Sequence, residues 1–401
     1  MQKKHPKRNN WFLEYIFLNI FVFAGIGLLS LVVFNVSVFN PFTQAFSDFT
    51  LTDLYYSKTI NQNKIYDKDL ILVSVENRSR EEIAYLIHRI EEGKPKVLGM
   101  DVIFKERIDS SDEILRQEIA LHKNIIFPHI AQFDSLTTEQ GNDTFFNAQS
   151  NAYVNLIGES REFTTIRYYR PMHNNMPAFT TAVMQMFDST KAQKLLDLGE
   201  KKTEIRYYGN LQNFRYNTFS EVMKMDFDVS VFKDKIILLG YMGLTPRVTR
   251  STLDEDRFYT PLNPRLSGRS HPDMYGIVIH ANIIRMALDG DYIVRLPAWL
   301  NYLIAFCLSL MLIPMYLRWY VNRSIWYHLN TVLVGFSISI LFVFLTILLY
   351  AKANIKIESA AVLVSVVFLT DFIFFYDTIM RFLKHKLGWN IKSIFIQGAK
   401  H

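Results

Sequence analysis

Four long apolar runs constrain this chain more than any other feature of its sequence. They cover residues 11–38, 299–316, 331–350 and 357–376, whereas residues 40–295 contain no other run of that length. About 20 consecutive apolar residues are needed to cross a bilayer as a helix. The sequence therefore predicts a membrane protein with four transmembrane helices and one large domain, residues 40–295, between the first helix and the second.

The first run is interpreted as a signal anchor that is not cleaved. Its apolar core is longer than that of a signal peptide, and it lacks a clear small-x-small cleavage site. Lysine and arginine side chains precede it within residues 1–10. Because positive residues beside a span tend to stay in the cytoplasm, the N-terminus is predicted to be cytoplasmic and residues 40–295 to be periplasmic or extracellular.

The charges that follow the later runs agree with this orientation. Arg318 and Arg323 follow the second run, and Arg381 and Lys384 follow the fourth. Four spans return the C-terminus to the cytoplasm, so the protein is predicted to be multi-pass with both termini inside. The basic tail of residues 380–401 alternates apolar and basic residues, which predicts an interfacial helix.

Composition narrows the class of protein further. Half of the residues are apolar and 14% are aromatic, which fits membrane spans combined with an ordinary globular domain. The net charge is +6, but lysine and arginine concentrate beside the apolar runs. We therefore expect contact with the lipid bilayer rather than with nucleic acid. The single cysteine, Cys307, rules out a disulfide within the chain and a thiolate metal cluster.

Strand and helix patterns alternate in the first half of the large domain. Short apolar, β-branched stretches at residues 69–76, 96–104 and 124–128 are separated by amphipathic stretches at 80–92 and 111–122. This alternation predicts an α/β fold with a mostly parallel sheet and helices against it. The other expected elements are an antiparallel hairpin of 153–156 with 163–169, a long helix over 177–198, a strand at 204–208, a short helix over 218–224 and a buried strand at 234–240.

Several motifs in the large domain occur in a fixed order. They are GMDVIF (99–104), RYYRP (167–171), DKIILLG (234–240), DRFYTPL (256–262) and YGIVIHAN (275–282). This ordered set, with one span before the domain and three after it, resembles the extracellular sensory domain associated with cyclases and histidine kinases, of the second CHASE type. The resemblance covers about residues 42–295.

The resemblance implies a receptor in the bacterial inner membrane whose outer domain senses a stimulus. Such domains usually precede a histidine kinase, a nucleotide cyclase or a protein kinase in the same chain. These 401 residues contain no such output domain, so a separate signalling protein is the expected partner. A homodimer is also expected, by analogy with paired signalling domains.

Two other functions remain open at this stage. The outer domain could be a structural scaffold that docks a cell-envelope complex, or, as a third choice, an extracytoplasmic hydrolase. Walker-type, G-x-S-x-G and H-E-x-x-H signatures are absent from the sequence, and histidines and cysteines do not cluster. We therefore expect a protein that is not an enzyme and that needs neither a cofactor nor a metal.

Six residues of the large domain are candidates for ligand binding or for coupling to the membrane. Asp101 lies in an apolar strand, where a carboxylate needs a partner; it is either a ligand or metal contact at the strand end or a hydrogen-bond anchor for nearby backbone. His280 is either a pH sensor or a satisfied core residue. Asn282 is expected to pair with loop backbone, with Thr260 as the suggested partner. The resemblance adds Arg167 and Asp256.

Two ionisable residues lie in the apolar runs, Glu14 in the first and Asp371 in the fourth. Ionisable groups inside a span are suspected of function by default. Asp371 lies toward the predicted cytoplasmic end, so snorkelling to the headgroups or a helix–helix contact is favoured over a proton or ion pathway.

Overall fold

The chain is described here by a computed structural model. The described residues are 11–35, 52–53, 55–56, 64–132, 139–146, 151–158, 164–243, 256–263, 271–322, 325–389 and 393–397. They divide into two compact units. Asp48–Ile293 forms the first, called the α/β unit, and Met1–Ser47 with Val294–His401 forms the second, called the helical unit.

The described strands of the α/β unit are short, and only β1 exceeds five residues. They are β1 (Tyr66–Ser74), β2 (Val97–Asp101), β3 (Ile125–His129), β4 (Asn151–Tyr153), β5 (Tyr168–Tyr169), β6 (Met172–His173), β7 (Met176–Pro177), β8 (Thr203–Glu204), β9 (Phe214–Thr218), β10 (Ile236–Gly240), β11 (Arg257–Phe258) and β12 (Met274–Tyr275).

Helices connect these strands, and capping residues mark the ends of several of them. In the helical unit α1 covers Trp11–Asn35; in the α/β unit the helices are α2 (Arg80–Glu92), α3 (Ser111–Leu121), α4 (Phe179–Phe187), α5 (Ser189–Leu198), α6 (Phe219–Val222) and α7 (Gly276–Asp289). Ser79 and Glu82 form a capping box at the start of α2. Gly290 ends α7 with a φ of 72°, a left-handed conformation that glycine adopts without steric cost.

Six strands form one parallel sheet in the order β4-β3-β2-β10-β1-β9. The last of these six strands along the chain, β10, lies between β1 and β2, with Leu70 opposite Ile236 on one side and Val97 opposite Ile236 on the other. All five residues of β10 are buried, as expected for a central strand covered on both faces. The predicted mostly parallel α/β fold is confirmed.

The two faces of the sheet carry different helices. On one face, Ile71, Met100 and Leu239 share a core with buried residues of α2, α3 and α6. On the other face, α4 and α7 contact the sheet at two glycines. A Cβ added to Gly99 would meet Phe179, and one added to Gly240 would meet Ile277. Close helix packing therefore requires the absence of a side chain at these two strand positions.

Two local predictions for this unit are wrong, and one strand was missed. The antiparallel hairpin is absent from the described residues, because β4 pairs parallel with β3 and β5 pairs with β8. The long helix over 177–198 is two helices, since Asp188 leaves the helical conformation and its side chain caps α5. The strand β9 was not predicted. Its sequence FRYNT is too polar to resemble the buried strands, because β9 lies at the edge of the sheet.

The helical unit contains four helices, within its described residues, that are long and apolar enough to cross a membrane. Besides α1, they are α8 (Ala298–Val321), α9 (Tyr327–Ala353) and α10 (Ala360–Lys386). A short helix, α11 (Ile394–Gln397), follows, and two short strands, β13 (Val294–Arg295) and β14 (Ile355–Lys356), pair parallel with each other. The helices α8, α9 and α10 extend past the apolar runs that predicted them.

Polar and aromatic contacts fix α1 against its neighbours. Asn19 is fully buried; its amide donates to the Phe306 carbonyl oxygen at 2.9 Å, and its oxygen accepts from the Ser309 hydroxyl at 2.7 Å. The Phe21 ring packs edge-on against Phe372 and Tyr376 of α10. Hydrogen bonds between polar side chains and neighbouring helices are a common means of specifying packing inside membranes.

Candidate functional site

The carboxyl ends of the two central strands β2 and β10 lie beside the first turn of α7. Asp101, the last residue of β2, is opposite Gly240, the last residue of β10. A Cβ added to Gly240 would lie 3.2 Å from the Ile277 side chain and 3.3 Å from the Asp101 Cβ. Asp101 thus occupies the edge of the sheet at which open parallel sheets bind ligands.

The Asp101 carboxylate has no hydrogen-bond or ion-pair partner among the residues that the structure describes. Burial raises the pKa of Asp101 to about 6, although part of the side chain remains accessible to solvent. A carboxylate held in this way costs free energy whenever it is ionised. Among the described residues the carboxylate anchors no backbone group, and a ligand contact at this place stays a prediction.

The helix α7 is buried almost along its whole length. Its exposed residue is Asp289 at the end, and Arg285 is half-buried. Such a helix cannot shift without changing its contacts with the sheet, with α4 and with α5. A change at Asp101, next to Ile277, therefore acts at the start of a rigid element.

Asn282 fixes α7 to the segment before β9. Its side-chain oxygen accepts from the backbone nitrogens of Tyr208 at 2.7 Å and Gly209 at 3.3 Å. Its side-chain nitrogen donates to the carbonyl oxygens of Gly209 at 3.0 Å and Val278 at 2.8 Å. The expected pairing with loop backbone is thus present, but the suggested partner Thr260 is wrong.

His280 lies on the same helix and faces α4. Its ring packs edge-on against Phe179 at 5.3 Å, and its Nδ1 atom is buried with no hydrogen-bond partner. Burial lowers the pKa of His280 to about 4. The imidazole is therefore neutral at physiological pH, which favours the core residue over the pH sensor.

Thr260 is held by a carboxylate that the sequence did not single out. Asp273 accepts from the Thr260 backbone nitrogen at 2.8 Å and from the Thr260 hydroxyl at 2.5 Å. Burial raises the pKa of Asp273 to about 6. Asp273 precedes β12, which pairs with β11 directly before α7. Its neighbours His271-Pro272 gave no periodic signal, so only the fold connects Asp273 with Thr260.

Asp256 stands at the other side of the α7 start. Its backbone oxygen accepts from the Gly276 nitrogen at 3.2 Å, and a Cβ added to Gly276 would lie 3.0 Å from the Asp256 carboxylate. A negative charge at this place is stabilised by the partial positive charge of a helix N-terminus. Asp101 and Asp256 therefore flank the first turn of the same helix.

Comparison with known proteins identifies the α/β unit. The CHASE2 domain family matches residues 30–314, which is more than half of the chain. The chain belongs to the CHASE2 family. CHASE2 is a family of extracellular sensory domains, as the motifs predicted, and it is not a catalytic family. Neither the curated proteins nor the solved structures contain a match to this chain.

Arg167 has a structural role in the CHASE2 domain. Its guanidinium forms a buried ion pair with Asp53, with 2.7 Å between Nη2 and Oδ2. Both residues are less than 9% exposed. A buried pair of this kind is costly to break because one charge would be left uncompensated. The ion pair with Asp53 gives the Arg167 guanidinium a structural contact in place of the ligand contact that the resemblance implied.

No metal site is evident in the described part of the chain, because no group of three or more histidine, cysteine, aspartate or glutamate residues is arranged to hold an ion. The ligand-binding candidates Asp101 and Asp256 are not joined by a third such side chain. Each of these two carboxylates lies near the apolar first turn of α7.

The two ionisable residues of the apolar runs differ in their surroundings. Glu14 is half-buried and accepts from the backbone nitrogen of Ile394 at 2.9 Å. Asp371 is exposed on α10. A Cβ added to Gly335 of α9 would lie 3.5 Å from Val366 of α10, which puts Asp371 near the start of α9 because the two helices are antiparallel. A position at the end of the apolar run suits contact with headgroups.

The chain leaves the CHASE2 domain through a short segment that is itself fixed. Residues 290–297 join α7 to α8. Within the helical unit, the Val294 nitrogen donates to the Asn354 carbonyl oxygen at 2.8 Å, and the Leu296 nitrogen donates to that of Lys356 at 3.0 Å. Arg295 pairs with Glu358 at 2.7 Å. The exit segment therefore holds the turn between α9 and α10.

Proposed function

We propose that this chain is the sensory input module of a receptor in the bacterial inner membrane. The CHASE2 domain lies outside the cytoplasm and binds its stimulus at the carboxyl edge of the sheet, around Asp101. The change passes along α7 and residues 290–297 to the membrane helices. A separate signalling protein, such as a histidine kinase or a cyclase, reads it there.

The observation that carries this proposal is the half-buried carboxylate of Asp101 at the carboxyl edge of the sheet, which has no partner among the described residues. A ligand shifts a conformational equilibrium only by its differential affinity for two states. An accessible carboxylate whose burial raises its pKa to about 6 supplies such a difference, because a cationic group that neutralises it favours the bound arrangement. Proteins retain costly polar groups of this kind mainly at functional sites.

The route to the membrane is supported by the fixed contacts at both ends of the exit segment. Before it, Asn282 fixes α7 to residues 208 and 209. At its far end, residues 294 and 296 bond to the α9–α10 turn. A displacement of α7 along its axis therefore acts on two membrane helices, α8 through the chain and α9 through the turn.

The placement of the domain outside the cytoplasm rests on charge. Basic residues precede α1 and follow both α8 and α10, whereas Lys352 and Lys356 lie at the opposite ends of the spans. Basic residues concentrate on the cytoplasmic side of membrane proteins. Both termini are accordingly proposed to be cytoplasmic.

The proposal is tested by cross-linking in living cells. A photoreactive amino acid replaces Trp389, which is 57% exposed beyond the end of α10. Cross-linked proteins are identified by mass spectrometry from cells with the parent chain, with Asp101→Asn and with the control Asp226→Asn. Asp226 is an exposed carboxylate of the same domain.

A sensor predicts capture of a kinase, cyclase or response regulator, with a yield that Asp101→Asn changes and Asp226→Asn does not. Capture of envelope-building proteins in all three strains at equal yield contradicts sensing. The α/β unit would then be a scaffold that retains only the fold of its family.

A further inference from the structure

The short segment after α10 does not lie free beside the helical unit. Phe395 is 2% exposed, and its ring centroid lies 5.7 Å from that of Tyr320 on α8 and 5.7 Å from that of Tyr376 on α10. The prediction of an interfacial amphipathic helix over the tail is therefore wrong for residues 393–395, which pack on protein; residues 390–392 and 398–401 lie outside the described part.

Polar contacts fasten the same segment at two places. The Glu14 carboxylate of α1 accepts from the Ser393 hydroxyl and from the Ile394 backbone nitrogen, the latter at 2.9 Å. The Arg381 guanidinium donates to the Phe395 carbonyl oxygen at 3.1 Å. A carboxylate at the beginning of a helix and a cation at a backbone carbonyl are both charge-assisted hydrogen bonds.

The groups that receive the segment are held in position without it. Asp377 accepts from the Tyr320 hydroxyl at 2.7 Å and from the Arg381 Nε atom at 2.7 Å. These bonds link α8 and α10 and orient the aromatic and guanidinium groups toward Phe395. The receiving surface, which consists of Glu14, Tyr320, Tyr376 and Arg381, is therefore built from α1, α8 and α10.

The segment itself is short, and few contacts keep it docked on the helical unit. The helix α11 covers four residues, and residues 387–392 connect it to α10. One buried phenylalanine and a few hydrogen bonds must offset the conformational entropy lost when the segment is ordered. Segments with so few buried apolar contacts are the ones that open locally.

We propose that Glu14, Tyr320, Tyr376 and Arg381 form a peptide-docking surface that residues 393–397 occupy as a displaceable strap. The surface fits the start of a helix in which a hydroxyl residue is followed two positions later by phenylalanine. Because Glu14 lies on the helix before the α/β unit, and Tyr320 and Arg381 lie on helices after it, any relative shift of these helices changes the hold on the strap. This proposal concerns the helical unit and does not rest on the stimulus site.

The test measures how fast a cysteine at position 393 reacts with a water-soluble maleimide. The purified full chain carries Cys307→Ser, to remove its only thiol, together with Ser393→Cys. A parallel chain with Trp389→Cys in place of Ser393→Cys reports an exposed position next to the strap. The probe for exchange is a synthetic peptide of residues 391–399, and its control carries Phe395→Ala.

We expect slow labelling of Ser393→Cys relative to Trp389→Cys. Adding Glu14→Gln, which removes a charge-assisted hydrogen bond, is expected to accelerate labelling about tenfold. Phe395→Ala in the chain, which leaves α1 untouched, should accelerate it as well. An excess of the peptide of residues 391–399 should accelerate labelling of the Ser393→Cys chain that carries neither Glu14→Gln nor Phe395→Ala. The peptide with Phe395→Ala should not accelerate it. The Trp389→Cys rate should stay constant throughout.

Three results would overturn the proposal. If the chain with Ser393→Cys is labelled as fast as the chain with Trp389→Cys, before any further substitution, the strap is not docked. A rate unchanged by both Glu14→Gln and Phe395→Ala means that the surface does not hold it. A rate unchanged by excess peptide, although both substitutions accelerate it, means that the strap does not exchange.

Discussion

The side-chain oxygen of Asn282 accepts a hydrogen bond from the backbone nitrogen of Tyr208 at 2.7 Å. The two residues are 74 positions apart in the chain. The same amide satisfies both backbone groups of Gly209, in the interior of the CHASE2 domain. One asparagine therefore replaces the strand partners that this segment lacks and fixes it to the helix that leads to the membrane.

Replacing Asn282 with alanine is expected to lower the free energy of unfolding of the domain by about 3 kcal/mol, because buried backbone groups lose their only side-chain partner. Amide hydrogen exchange of residues 205–210 and 276–289 measures it, and both should exchange faster. The control Gln193→Ala changes an exposed side chain on α5 and should stay within about 0.5 kcal/mol. Unchanged protection of both segments would contradict the assigned role.

Replacing Asp101 with asparagine is expected to stabilise the protein at pH 7.5. The pKa of this acid is raised by burial to about 6, so the folded state binds the proton more tightly than the unfolded chain does. Protonation of Asp101 therefore stabilises the folded state fully below pH 4, and this stabilisation is lost as the pH rises through 6. Above pH 6 the ionised group therefore costs about 3 kcal/mol, which asparagine removes.

Thermal unfolding at pH 7.5 and pH 4 measures the effect of Asp101→Asn. The melting temperature should rise at pH 7.5 and change little at pH 4, whereas Asp226→Asn should have no effect at either pH. A loss of stability at pH 7.5 would mean that the carboxylate is a structural anchor. A gain would agree with a group that is retained for binding despite its cost.

The buried His280 is expected to make the domain sensitive to acid. Burial lowers its pKa to about 4, so below pH 6.5 the unfolded chain takes up a proton that the folded state excludes. Between pH 6.5 and pH 4 this removes about 3 kcal/mol of stability. The variant His280→Leu lacks that loss. The difference in unfolding free energy between the two proteins should grow by this amount as the pH falls, and a constant difference would refute the assignment.

Asn19 is expected to hold α1 against α8. Leucine at position 19 removes the bonds to Phe306 and Ser309 and should weaken the helix pair by about 1 kcal/mol. Unfolding in mixed detergent micelles, followed by circular dichroism, measures the change. The control Ser337→Leu alters an exposed position of α9 and should leave the transition in place. Equal shifts of the unfolding transition in the two variants would show that the hydrogen bonds of Asn19 add no specific stability to the contact between α1 and α8.

Local pattern was sufficient for most elements of the fold. The four apolar runs predicted α1 and α8 to α10, because a membrane span needs only length and apolarity. The alternation of β-branched and amphipathic stretches predicted β1, α2, β2, α3 and β3 within a few residues. The strand β9 was missed because an edge strand need not be apolar on both faces.

The site was predicted in part. Asp101 and Asn282 were singled out because a polar residue in an apolar stretch needs a partner. The sequence pattern could not show which partner each of these residues has. Asn282 bonds to Tyr208 and Gly209 instead of Thr260, and Asp101 has no partner among the described residues. Asp273 was overlooked because it precedes a two-residue strand that has no periodicity.

By itself, the sequence determined the class of the protein: membrane spans around an α/β domain, and a resemblance to CHASE2 that the family match confirms. Those properties depend on composition and on spacing along the chain. The tertiary structure decided the insertion of β10 between β1 and β2, the isolation of Asp101 and the docking of Phe395 between Tyr320 and Tyr376. Such features depend on contacts between residues far apart in the chain. The local sequence is compatible with many sets of neighbours, and only the packing of the whole fold selects one of them.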